Sequence, residues 1–179
     1  MKGFCLKFQN FLLVVIFFAL SLQAYSQGPR GEAQGKSSMI VGTWKLNLAK
    51  SKYGPGSQPP RTMIQKHEQV GDGWKYIEER VDADGKEHYY TYIANFDGKE
   101  YPVKLTKSGK DTGRYVTLMQ IDPYTFYIIG RDPPPGTLRP GGGTVIYKHV
   151  VSSDGKTKTS TTIGPKGVGD TIQVYDRVQ

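Results

Sequence analysis

Four tight-turn signatures recur along the chain: Gly71-Asp72-Gly73, Asp84-Gly85-Lys86, Asp97-Gly98-Lys99 and Asp154-Gly155-Lys156. Asp tolerates left-handed dihedrals and Gly adopts them freely, so Asp-Gly between extended segments favours turns whose twist matches paired strands. The intervening segments are rich in Tyr, Val, Ile and Thr. From Ile40 onward no window sustains the i, i+3, i+4, i+7 apolar spacing of a helix. Read as hairpin tips, the turns predict about ten strands, over 40–47, 61–70, 74–82, 86–94, 99–105, 113–121, 124–131, 143–151, 156–163 and 170–178. Most links are two to four residues long, which makes successive strands antiparallel neighbours. A twisted sheet of this size leaves two unpaired edges, and closing on itself removes both. The expected fold is all-β: a ten-stranded antiparallel up-and-down barrel over residues 40–179, ahead of a two-sheet sandwich.

The N-terminus reads differently. Lys2 and Lys7 precede an apolar run from Phe11 to Leu20, and Ala24-Tyr25-Ser26 supplies the small residues of a cleavage site. That run is ten residues, against roughly 20 for a bilayer-spanning helix. Residues 1–26 are therefore read as a signal peptide helix and 27–39 as a disordered Gly/Ser/Gln arm. A periplasmic or secreted location follows, with no stable membrane insertion after cleavage. Cleavage removes Cys5, the single cysteine, so neither an intramolecular disulfide nor a multi-Cys zinc site is available. The net charge is +8, and the lost leader carries two lysines and no acid. The remaining positive charge lies mostly at hairpin tips, and export argues against a nucleic-acid partner. A monomer is expected.

The two ends of the barrel region carry a resemblance. Val41-Gly42-Thr43-Trp44-Lys45-Leu46 resembles the first strand of the intracellular lipid-binding (fatty-acid-binding) proteins of the calycin superfamily, and its Gly-x-Trp element is shared with lipocalins. Thr171-Ile-Gln-Val-Tyr-Asp-Arg177 looks like their last strand. The opening is also similar to that of small exported bacterial lipocalin-like proteins. The resemblance implies a barrel enclosing a small amphipathic or lipid-like ligand. In that family an inward Arg-x-Tyr pair on the last strand holds the ligand carboxylate; the matching positions here are Gln173 and Tyr175. Gln brings no positive charge, which shifts the expectation towards a neutral polar headgroup. The family's helical lid between its first two strands has no room in Leu48–Pro60, which contains three prolines. A barrel without a helical lid is expected. The resemblance also casts Trp44 as a plug at one end, with Arg177 as a basic clasp across it.

Whether such a site exists depends on which face of each strand looks inward, because successive residues point to opposite sides. On the last strand a plain hydrophobic core would bury Ile172, Val174 and Val178, whereas a ligand barrel would turn Gln173, Tyr175 and Arg177 inward. The fourth strand poses the same choice between the His88, Tyr90, Tyr92 row and the Tyr89, Thr91, Ile93 row. His88, Tyr90, Tyr92 and Arg114 are candidate ligand contacts, since donors along an apolar wall are what small-molecule pockets use. Tyr124, Phe126 and Ile128 form a further inward row better suited to core packing.

Catalysis finds little support. His67, His88 and His149 are the only histidines and none has metal-ligand spacing. No Gly-x-Ser-x-Gly is present, and the strand neighbours Glu78 and Glu79 face opposite sides. The chain is read as a non-enzyme, with no metal and no cofactor. Its expected role is an exported barrel binding a small amphipathic or lipid-like ligand. The alternative is an exported β-domain acting through its outer surface on a protein or envelope polymer, with no internal ligand.

Overall fold

Turn chemistry and short links produce an uninterrupted meander. In the computed structural model the described residues are 38–54, 56–132, 143–164 and 171–178; the expected signal peptide and residues 27–37 of the arm lie outside them. The ten strands are β1 (Gly42–Lys52), β2 (Thr62–Val70), β3 (Gly73–Val81), β4 (Glu87–Asn95), β5 (Tyr101–Leu105), β6 (Asp111–Gln120), β7 (Thr125–Arg131), β8 (Thr144–Val151), β9 (Thr157–Ile163) and β10 (Ile172–Val178). Each pairs antiparallel with the next, and β10 returns to β1 through Trp44↔Arg177 and Leu46↔Tyr175, closing the barrel. Among the described residues there is no helix. The turn glycines Gly85 and Gly155 have φ of 91° and 69°, the left-handed region that a tight hairpin requires.

Two boundaries differ from the sequence reading. β1 continues five residues past 47, to Lys52, because its pairing with β10 jumps from Asn47↔Val174 to Lys52↔Ile172. The extra residues form a bulge, held by Ser51 Oγ donating to Asn47 O (2.7 Å) and Lys50 N donating to Asn47 Oδ1 (3.1 Å). Ser38 and Met39, read from composition as the end of the arm, belong instead to the barrel: Met39 N donates to Pro123 O (3.0 Å), and Ser38 and Ile40 are buried.

The hairpins β2–β3, β4–β5, β6–β7 and β8–β9 gather at one end, which aromatic side chains fill. Trp74 meets Phe96 and Phe126 edge-on at 4.6 and 4.8 Å between centroids, with Ile40, Trp44, Ala94, Leu118 and Val151 buried around them. The interior narrows here to a packed plug.

Candidate functional site

Strand parity decides the interior. On β10 Tyr175 is fully buried while Ile172 and Val174 are only half-buried and Val178 is 45% exposed. The tyrosine-bearing face thus looks inward, the arrangement a ligand barrel needs. The same phase runs around the barrel through Met63, Gln65 and His67 on β2, Tyr76 on β3, Tyr92 on β4, Ile128 on β7, His149 on β8, and Lys158 and Ser160 on β9, all buried.

At the plugged end Arg177 lies across Trp44, its guanidinium carbon 4.3 Å from the ring centroid. It donates to Gly155 O (2.6 Å), Val41 O (2.7 Å) and Met39 O (2.6 Å), and Trp44 Nε1 donates to Ile40 O (2.7 Å). The contact ties the first and last strands to the segment entering the barrel.

Above the plug sits a buried polar layer. Lys158 Nζ donates to Gln65 Oε1 (2.5 Å) and lies 3.4 Å from His67 Nε2, with the ring of Tyr175 4.4 Å away. Gln65 Nε2 in turn donates to Glu78 Oε2 (3.3 Å), which also accepts from the Tyr76 hydroxyl (2.5 Å). Burial dominates the titration of this layer. It pushes Lys158 well below the usual lysine range against the opposing pull of Glu78, and holds His67 and His149 well below the usual imidazole value. The Tyr76 and Tyr92 hydroxyls are pushed upward, mainly by the same desolvation. At neutral pH both buried histidines are uncharged.

Beyond this layer the lumen opens into a cavity of ≈ 750 Å³ that reaches the end of the barrel formed by Ser57, Gln58, Pro60 and the β3–β4 hairpin. Met63, Gln65, His149 and Ser160 form its floor; Tyr76, Tyr90, Tyr92, Val103, Val116, Ile128 and Gly130 line its walls. Tyr76 and Tyr92 stack at 4.8 Å, and His149 stacks on Phe126 at 5.0 Å. Three buried polar atoms of this wall and floor, Tyr92 Oη and both ring nitrogens of His149, have no hydrogen-bond partner among the described residues. Buried polar atoms ordinarily have one, so they are positions a guest or water would satisfy.

The arginines of the lumen are neutralised. Arg114 Nε donates to Asp132 Oδ1 (2.6 Å); Arg80 Nε lies 2.8 Å from Asp82 Oδ1 and its Nη1 3.6 Å from Glu78 Oε1.

Of the residues singled out from sequence, Gln173, Tyr90, Tyr92 and Arg114 line the cavity. Tyr175 points inward but stops below it, its hydroxyl 3.1 Å from both Met63 Sδ and Gln173 Oε1, so it props Gln173. His88 stands behind the wall, with Nδ1 3.0 Å from the Tyr90 hydroxyl and Nε2 2.8 Å from Asp82 Oδ2. Phe126 and Ile128 face inward, while Tyr124 is 38% exposed. Sequence reading missed Gln65, Glu78, His149 and Lys158. Lys158 sits in a Thr/Lys/Ser run without an apolar face, and only its pairing with Tyr175 reveals that it points inward.

The ten-strand meander is closed, and its last strand turns Tyr175 inward. The sequence matches no protein-family model and no curated protein. Among solved structures it is similar to a point mutant of the fluorescent protein UnaG, at 13% identity and a TM-score of 0.48, covering 79% of this chain and 97% of that one. It is also similar to zebrafish ileal bile acid-binding protein complexed with cholic acid, at 17% identity and a TM-score of 0.42, covering 79% of this chain and 100% of that one.

Proposed function

We propose that the chain is an exported, monomeric barrel that holds one small amphipathic or lipid-like molecule in its lumen without turning it over. The observation carrying this is the cavity: ≈ 750 Å³, within the roughly 300–1,000 Å³ of small-molecule sites, walled by tyrosines and aliphatics and edged with unpartnered Tyr92 and His149 atoms. A barrel acting only through its outer surface gives no reason for a hollow interior or for polar atoms left unsatisfied along it. Because Arg80 and Arg114 already face carboxylates, the ligand's polar end is uncharged, and Gln173, Tyr90 and Tyr92 are placed to hydrogen-bond it.

The test is native mass spectrometry of the protein purified from its own host, followed by organic extraction. The reading requires a bound small molecule at one per chain that extraction removes. A chain of bare mass that also fails to take up the neutral dye Nile red contradicts it.

A further inference from the structure

Lys158 is the one buried lysine among the described residues, with 0% of its surface exposed. A methionine would fill the same space without burying an amine, which costs free energy unless the charge is paired. No carboxylate pairs with it directly; its hydrogen-bonding neighbours are Gln65 and the uncharged His67. Desolvation disfavours its ammonium form, so Nζ keeps its lone pair at pH values where solvated lysines are protonated.

Position makes this amine usable. Gln65 and Ser160, two residues from Lys158 on the inward face of β9, form the cavity floor. Nζ therefore lies one side chain beneath the lumen, covered by the Gln65 carboxamide at 2.5 Å. A carbonyl group arriving at the floor can replace that carboxamide as the partner of Nζ. Glu78, bonded to the far side of Gln65 at 3.3 Å, supplies a negative charge near any cation formed on the nitrogen.

We propose that Lys158 captures aldehyde ligands of the lumen as a reversible imine. The Nζ lone pair adds to the carbonyl carbon while the C=O π pair moves to oxygen. One proton passes from nitrogen to that oxygen, with His67 Nε2, 3.4 Å from Nζ, placed to relay it. The resulting carbinolamine loses its C–O bond as the second amine proton leaves with the hydroxyl, so water departs and C=N remains. No oxidant or reductant is needed, and hydrolysis reverses the step. This rests on the lumen being a ligand site and adds covalent capture to it.

The full chain is incubated at pH ~7 with one equivalent of decanal and sodium cyanoborohydride, which fixes imines as secondary amines, and then mapped by peptide mass spectrometry. Lys158 is expected to carry the adduct at about tenfold or more over any solvated lysine, reflecting its larger neutral fraction. Decanol, with the same chain and no carbonyl, slows the labelling by occupying the lumen. Lys158→Met, which fills the same space without an amine, lowers total adduct to the level of the surface lysines. Adducts spread over surface lysines with Lys158 unmodified would overturn the proposal. In that case Nile red displaced by decanol leaves the lumen as a ligand site and removes only the imine, whereas no dye uptake removes both.

Discussion

Lys158 on β9 and Gln65 on β2 meet beneath the cavity, Nζ to Oε1 at 2.5 Å, although β10 and β1 run between their strands. The contact crosses the polar layer under the lumen and joins a buried amine to the carboxamide that forms the floor. Gln65→Leu leaves the amine without its oxygen acceptor and should cost about 2–3 kcal/mol in urea denaturation, the usual penalty of an orphaned buried polar group. Adding Lys158→Met should recover most of that loss, because removing both partners strands neither. A double variant no more stable than Gln65→Leu alone would show that the pair is not coupled.

Arg177 fastens the plugged end by donating to three backbone carbonyls while lying over Trp44. Arg177→Lys retains the charge but lacks the planar fork that reaches three acceptors, so about 2 kcal/mol should be lost. Hydrogen exchange should quicken at the amides of β1 and β10 before other strands. Uniform exchange across the barrel would speak against a local clasp.

Stability should depend on pH in a direction set by the buried bases. His67 and His149 are held well below their usual value of 6.5, so between 6.5 and their folded-state values the unfolded chain binds more protons. Their contribution is complete above 6.5 and declines as pH falls through that range, by about 1.4 kcal/mol per histidine per pH unit. Lys158, depressed below 10.5, acts in the same sense at higher pH: stability rises towards 10.5 as the unfolded chain gives up its proton. Denaturation midpoints measured at several pH values should show both slopes, and Lys158→Met should abolish the alkaline one.

Much of the fold was legible because turn chemistry is local. Asp-Gly pairs marked hairpin tips, and nine of the ten strands fall within two residues of where the turns placed them. The end of β1 escaped because Leu48–Lys52 has no alternation; its pairing depends on a bulge fixed by Asn47 and Ser51. The site was legible where a strand bore an aromatic row, as with Tyr90 and Tyr92, at Arg114, and at Gln173 through the resemblance of the last strand. Gln65, His149 and Lys158 read as ordinary polar residues of half-solvated strands. Their burial follows from closure of the barrel, which fixes the phase of every strand at once and is visible in no single segment.

Tyr175 supports the floor from below through Gln173. Tyr175→Phe removes the hydroxyl shared between Met63 and Gln173, and should cost about 1 kcal/mol of stability. Freed from its prop, Gln173 should hold a neutral ligand several-fold less tightly, as read by Nile red competition. Unchanged affinity would remove Gln173 and Tyr175 from the site.

Gly130 offers the most direct control on the lumen itself. It lines the cavity, and a Cβ placed there meets Tyr147 Cε2 and Val145 O at 3.7 Å, ordinary contact distance. Gly130→Phe should therefore leave the barrel folded while its ring occupies the guest's space. The decisive measurement is a Nile red titration of the two proteins side by side, with folding checked by circular dichroism. Saturable binding at one dye per chain, lost in Gly130→Phe, is the result a hollow ligand-holding barrel requires. Equal binding by both proteins would place the dye on the outer surface and contradict it.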